Sequence, residues 1–171
     1  EANDNFQVVS LRKATLYGVS PRMRFDLVIN SMTGMAMSEG QIIVNGGSQW
    51  RPFLHVEDAA DAYIYMLGVE KDKVNGMVFN LGSNKDNLMI IDLAKKIKEI
   101  LPNTIINHSA TVDDRSYKVN FDRINKIGWK TKLSIKDGVL GIKKLFETGK
   151  VIDFRDINYY NIKRMLSHLN I

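Results

Sequence analysis

Residues 46–67 read GGSQWRPFLHVEDAADAYIYML, and the interpretation of the whole chain starts from this stretch. The small residues at 46–48 predict a turn, and FLH after it predicts a short strand. From residue 59 to 67 only Asp61 is polar, so we expect a helix covered on nearly all sides. A turn of small residues lets the backbone approach a ligand closely. Arg51 lies just beyond this turn, and its planar guanidinium presents several N–H donors that suit phosphate. The alternative is that Arg51 pairs with a carboxylate of this chain.

Upstream of this stretch, strands and helices alternate. FQVVSL (6–11) is a short run rich in β-branched residues and predicts a strand buried on both faces. A loop over 13–25 follows, then a helix over 27–39 that Asp26 is placed to cap and Gly40 to end. QIIVN (41–45) predicts the strand that enters the turn.

The same alternation continues downstream. MVFNLG (77–82) predicts a strand, and apolar residues at helical spacing from Ile90 predict a helix stopped by Pro102. TIINH and YKVNF predict short strands, and Ser134 with Asp137 forms a capping box for a further helix. The tail YYNIKRMLSHL again has helical spacing. The fold class is therefore α/β.

Composition restricts the possible functions. The chain has 171 residues and 44% hydrophobic content, enough for one folded domain or a large part of one. It has no cysteine, and its three histidines show no metal-ligand spacing, so we expect no metal site. The net charge of +5 comes from basic residues spread among acids, which does not favour nucleic acid. The lysines at 95, 96 and 98 are interpreted as a solvated helix face.

The sequence contains no apolar run of membrane-spanning length and no signal-peptide pattern. We expect a cytoplasmic protein without membrane contact.

Four separated segments together resemble one family. They are LRKATLYG (11–18), SPRMRFDLVIN (20–30), IIVNGGSQWRPFLHVEDAADA (42–62) and DDRSYKVNFDRINKIGWKTKLSIKDGV (113–139). Their order and spacing resemble the C-terminal half of the extended short-chain dehydrogenase/reductases, the NAD-dependent epimerase/dehydratase group acting on nucleotide sugars. The resemblance implies late strands and helices of a Rossmann-type domain, about 1–14 and 53–82. It also implies a small C-terminal α/β substrate-binding subdomain, about 15–52 and 83–171.

The resemblance also implies roles for particular residues. Lys13 and Ala14 match positions that pass the nicotinamide end of NAD or NADP. The positions matching nucleotide-sugar contacts are Thr15, Arg24, Phe25, Leu27, Ile43, Asn45, Gln49, Arg51 and Arg115. Arg51 matches the arginine that grips the diphosphate. Asn45 suits a base edge, although a turn asparagine bonding its own backbone is the alternative.

Two departures from the family pattern weaken parts of this assignment. Gly46, Gly47 and Ser48 stand where the family usually has Gly-Asp-Gly, which removes a carboxylate. Ala110 and Thr111 stand where many members carry a second phosphate-binding arginine. Arg115 is a candidate substitute, with a salt bridge to Asp113 or Asp114 as the alternative.

Two further polar residues are interpreted as structural. His55 lies between apolar residues, where a histidine is usually a satisfied core residue. Asp58 is interpreted as a helix cap rather than a catalytic acid.

Two signatures of the family's chemistry are missing. The chain contains no G-x-x-G-x-x-G turn, and its one Tyr-x-x-x-Lys spacing, Tyr159 to Lys163, falls in the C-terminal tail. We expect an absent N-terminal half to carry these parts, and the chain alone to be marginally stable and inactive, with no catalytic residue. The whole protein would be a homodimer by resemblance. The alternative is a non-catalytic binding or regulatory module of the same descent.

Overall fold

The computed structural model describes residues 6–109 and 114–169, and this part of the chain is mixed α/β, as predicted. The strands are β1 (Val9–Lys13), β2 (Thr15–Tyr17), β3 (Gln41–Asn45), β4 (Trp50–His55), β5 (Met77–Leu81), β6 (Asn87–Met89) and β7 (Ile105–Ser109). The helices are α1 (Val28–Glu39), α2 (Val56–Leu67), α3 (Lys71–Val74), α4 (Ile90–Ile100), α5 (Asp122–Lys126), α6 (Ile135–Glu147) and α7 (Asn161–His168). Short 3₁₀ turns cover Asn84–Asp86 and Ile157–Tyr159.

The described strands form three small sheets. β1 pairs with β5 in parallel, and β3 pairs with β7 in parallel. The third sheet has the order β2-β4-β6, with β2 parallel and β6 antiparallel to β4. Most pairs are parallel, as expected where helices connect successive strands.

Local signals fix several element ends as predicted. Gly40 ends α1 in the left-handed conformation with φ 64°, which glycine adopts without a side-chain clash. Ser134 and Asp137 form the reciprocal capping box at the start of α6. Helix α4 ends just before Pro102, which cannot continue it.

The core consists of three apolar clusters. The first joins α1, α4, α6 and strands β3 and β4. The second joins β5 and α2 to the segment around Phe121 and Trp129. The third packs Phe25 against Val151 and Phe154. Strand β4 runs unbroken across residue 53, so the division into two parts there stays a prediction.

Predictions about the first strand were partly wrong. β1 begins at Val9 rather than Phe6, because Val8 instead bonds the Asn75 side chain and Gly76. It is half-buried at best, with Ser10 exposed, because in the described chain it pairs only with β5. The predicted loop that begins at residue 13 also contains strand β2.

Two further predictions were wrong. Residues 117–121 form no strand, because Val119 and Phe121 donate their N–H groups to the side chains of Asn87 and Asn84 instead of to a neighbouring strand. Asp26 does not cap α1, whose first turn has no side-chain cap. Its carboxylate is instead bound by Arg24.

Helix α2 is not covered on nearly all sides. Ile64 is 71% exposed and Leu67 is 89% exposed, because no described element of the chain packs on this face. Within the described residues, no helix is both long and apolar enough to span a membrane.

Candidate functional site

A cavity of about 900 Å³ contains most of the residues that the sequence assigns to substrate binding. It lies between α1, the carboxyl end of β3, the start of β4 and residues 114–117. We call it the Arg51 cavity, and its lining residues are Thr15, Asp26, Leu27, Val28, Ser31, Met32, Met35, Ile43, Asn45, Gln49, Arg51, Ile90, Asp114, Arg115 and Tyr117. Pockets for small ligands are usually of this size. Most of the lining residues of this one are polar or charged, which suits a polar ligand.

Arg51 is held in the wall of this cavity. Its Nη1 donates to the carbonyl oxygen of Trp50 at 2.8 Å and to that of Arg115. Its guanidinium carbon lies 5.1 Å from the centre of the Tyr117 ring, within cation–π range. The backbone N–H of Tyr117 also bonds Trp50. These contacts orient the guanidinium before any ligand arrives.

The turn before Arg51 has the conformation that its sequence predicts. Gly46 and Gly47 have φ of 70° and 119°, a region that other residues avoid. Gln49 closes the turn, since its side chain accepts from the Gly47 N–H at 2.6 Å and donates to the Asn45 carbonyl at 2.7 Å. The side-chain amide of Gln49 therefore binds the backbone of the turn, although the residue also lines the cavity.

The cavity brings together a subset of the predicted contact residues. Thr15, Leu27, Ile43, Asn45, Gln49, Arg51 and Arg115 all line it. The exposed side chains of Ile43 and Asn45 project from β3. Their roles in substrate binding stay predictions.

Arg24 and Phe25 lie elsewhere. Arg24 donates two hydrogen bonds of 2.9 Å to Asp26 and lines a separate cavity of about 320 Å³. Burial pushes the pKa of Asp26 upward, but the hydrogen bonds and charge of Arg24 outweigh it and hold that pKa below its usual value. Phe25 is fully buried against three rings, those of Phe146, Phe154 and Tyr159. Its side chain supports the core and does not line the Arg51 cavity.

The two predicted cofactor contacts lie at the carboxyl end of β1. Ala14 is buried and donates its N–H to Leu81 at 3.0 Å, and Lys13 donates to the Tyr63 hydroxyl at 2.9 Å. A dinucleotide cradle needs a glycine-rich strand-to-helix turn, which this sequence lacks. The residues present therefore do not form a dinucleotide site by themselves. Among the described residues, no group of three or more histidine or acidic side chains is placed to hold a metal ion.

Sequence reasoning missed part of the lining. The cavity is also lined by Ser31, Met32 and Met35 of α1. Met35 lies three and four residues after the other two, a spacing that places all three on one face of the helix and could have indicated them. Tyr117 is the more important omission. Its aromatic side chain between two basic residues in RSYK was a usable sign of a cation–π partner.

His55 is structural, as predicted. It is buried, its ring meets Tyr17 edge-on at 5.2 Å, and its Nδ1 accepts from the Glu57 N–H at the start of α2. Burial lowers its pKa, which keeps the ring neutral and able to accept.

Asp58 is buried, but the prediction that it caps α2 was wrong because His55 occupies that position. The Asp58 carboxylate instead accepts the backbone N–H groups of Lys132 and Leu133 at 3.0 and 3.1 Å. It fixes the loop that leads into α6.

Comparison with known proteins shows what the chain is similar to. Residues 1–82 match the model of the NAD dependent epimerase/dehydratase family. The chain is 28% identical over 153 residues to the probable GDP-L-fucose synthase 1 of Oryza sativa subsp. japonica, covering 82% of this chain and 45% of the relative.

Solved structures of other proteins share the fold of this chain. UDP-glucuronic acid 4-epimerase from Bacillus cereus, in complex with UDP-glucuronic acid and NAD, is similar with a TM-score of 0.66 and 21% identity, covering 85% of this chain and 47% of that one. RMD from Pseudomonas aeruginosa, complexed with NADPH, is similar with a TM-score of 0.68 and 21% identity, covering 85% and 50%. The chain spans less than half the length of the curated relatives it matches.

Proposed function

We propose that this chain supplies the nucleotide-sugar-binding part of an NAD(P)-dependent epimerase, dehydratase or reductase. The observation that carries the proposal is the orientation of Arg51 in the wall of the Arg51 cavity. Thr15, Ile43 and Asn45 line the same cavity, so a diphosphate at Arg51 and a base at β3 fit one ligand. The names of the relatives, which include GDP- and UDP-sugar enzymes, support the substrate class.

In this proposal, Arg51 neutralises the diphosphate with charge-assisted hydrogen bonds. Asn45 has both a donor and an acceptor for the base edge, and Ile43 contacts the base through its apolar side chain. Holding the unreactive end of the substrate positions the sugar for reaction. The dinucleotide, when bound, supplies hydride transfer from and usually back to a sugar carbon.

The other parts of the site would come from polypeptide outside this chain. We propose that it carries the glycine fingerprint and the Tyr-x-x-x-Lys pair, and that the whole protein is a cytoplasmic homodimer. Helix α2 has an exposed apolar face formed by Tyr63, Ile64 and Leu67. Because large exposed apolar patches usually mark contact surfaces, this face supports the proposal that further polypeptide packs against the chain.

A second function is favoured by one observation. Gly47 stands where the family usually has an aspartate, so a carboxylate is missing from the turn before Arg51. A non-catalytic binding or regulatory module would keep the Arg51 cavity and need no such group. The two functions differ in whether a bound nucleotide sugar is converted.

The test is a binding screen of nucleotide diphosphate sugars against the full-length protein, followed by analysis of any bound sugar for conversion with NAD or NADP. Arg51→Ala should weaken binding of the selected ligand about 10-fold or more. Arg164→Ala is the matched control, since it removes the same charge on α7, outside the cavity lining. Equal binding by wild type and Arg51→Ala would remove this cavity from the proposal, and binding without conversion would favour the module.

A further inference from the structure

A second cavity lies apart from the Arg51 cavity. It has a volume of about 380 Å³ and shares no lining residue with the first. We call it the Lys96 cavity, and its lining residues are Lys85, Asp86, Leu88, Lys96, Glu99, Ile100, Ser134, Ile135 and Lys136. The sequence predicts that Lys96 lies on a solvated helix face, and its side chain is exposed.

Three lysines converge on this cavity from separate elements. Lys85 comes from the 3₁₀ turn before β6, Lys96 from α4 and Lys136 from the first turn of α6. Among the described residues, none of these three ammonium groups has a hydrogen bond or ion pair, whereas the neighbouring Lys95 pairs with Asp92 at 3.5 Å. The three positive charges outnumber the two acids of the cavity, Asp86 and Glu99, and a bound anion would relieve the remaining repulsion.

The cavity also offers hydrogen-bond acceptors and an apolar wall. Asp86 is half-buried, and its carboxylate accepts no hydrogen bond from any described residue. Burial raises its pKa, partly offset by Lys85 and Lys96. Glu99 adds a second carboxylate, and three aliphatic side chains complete the wall, those of Leu88, Ile100 and Ile135.

This combination corresponds to a particular ligand chemistry. Ammonium groups bind phosphate as point charges, carboxylates accept from hydroxyl groups, and aliphatic side chains contact a carbon skeleton. With three lysines against two acids, the cavity favours a ligand of net negative charge. We propose that the Lys96 cavity is a binding site for a small phosphate monoester that carries hydroxyl groups, of the sugar-phosphate class. The site is independent of the nucleotide-sugar function proposed for the Arg51 cavity.

The experiment titrates the purified protein with glucose 6-phosphate, inorganic phosphate and glucose, using calorimetry. Saturable binding of glucose 6-phosphate is expected, with weaker binding of inorganic phosphate and of glucose, because each keeps only part of the contacts. Lys96→Gln should weaken glucose 6-phosphate binding about 2- to 5-fold. The triple variant Lys85→Gln, Lys96→Gln, Lys136→Gln should weaken it about 10-fold or more. Since these side chains are exposed, the variants should unfold at the wild-type temperature.

Two matched variants make the test specific. Lys95→Gln removes the same charge one residue away, outside the cavity, and should bind like wild type. Arg51→Ala should also bind glucose 6-phosphate like wild type, which separates this site from the Arg51 cavity. The proposal is overturned if there is no saturable binding, if the triple variant binds unchanged, if Lys95→Gln loses as much as Lys96→Gln, or if Arg51→Ala abolishes binding.

Discussion

Gly138 is the residue whose substitution tests the packing beneath the candidate site most sharply. It lies in α6 against Tyr17 of β2, the strand that also carries Thr15 of the Arg51 cavity. A Cβ at position 138 would lie 2.6 Å from two ring atoms of Tyr17, roughly 0.8 Å closer than the 3.4 Å at which ordinary contact begins. Tyr17 is 2% exposed, so its ring has little room to move away.

The expected loss can be worked out against a matched substitution. Gly→Ala within a helix is favourable by about 1 kcal/mol, whereas overpacking a filled core costs about 1–3 kcal/mol. Gly141 lies in the same helix, and a Cβ there would meet only the Val19 side chain, at 3.2 Å. Both substitutions gain the same helix propensity, so the difference between their free energies of unfolding measures the clash with Tyr17. Gly138→Ala should be less stable than Gly141→Ala by about 2 kcal/mol, or roughly 4–8 °C in Tm for a chain of this size.

Urea and thermal unfolding of the two variants measure this difference directly. The reasoning is refuted if Gly138→Ala is as stable as Gly141→Ala, since the Tyr17 ring would then not be fixed where the structure has it.

Two further predictions concern polar contacts. Asp58→Ala should lower the free energy of unfolding by about 2–4 kcal/mol, because two backbone N–H groups of the loop before α6 lose their acceptor. Asp61→Ala, on the same helix but more exposed, should lose less, and equal losses in denaturant unfolding would contradict the role given to Asp58. Hydrogen bonds from Ser134 hold the pKa of Asp137 below its usual value. The Ser134–Asp137 pair therefore stabilises the fold fully at pH values above the unfolded-state pKa of about 3.9. This stabilisation is lost as the pH falls through the lower pKa of the folded state. Ser134→Ala should raise the pKa of Asp137 in an NMR titration, and an unchanged pKa would argue against the capping box.

Elements fixed by local chemistry were predictable from the sequence. The Ser134 capping box, the left-handed Gly40 and the stop before Pro102 each depend on residues within a few positions of one another. The strand predicted at 117–121 failed because the side chains of Asn84 and Asn87, over 30 residues away, take its hydrogen bonds. The exposed face of α2 could not be predicted either, because its apolar pattern does not say which polypeptide covers it.

In the candidate site, too, features set by local sequence were predictable and features set by distant contacts were not. Arg51 could be placed because a turn of small residues and four motifs fixed its context. Phe25 was assigned by its position in a motif, and the structure places its ring in the core, where an apolar side chain is most stable. The support that Tyr117 gives Arg51 arises from two segments more than 60 residues apart, a pairing that periodicity does not reveal.

The central claim, that Arg51 binds a diphosphate, is tested most directly by a two-by-two comparison of ligand and side chain. The dissociation constants of a nucleoside and of its diphosphate are measured for wild type and for Arg51→Ala. The account predicts that the substitution weakens diphosphate binding by about 1.5–3 kcal/mol, roughly 10- to 150-fold, and leaves nucleoside binding unchanged. Equal losses for both ligands, or no loss for the diphosphate, would contradict it.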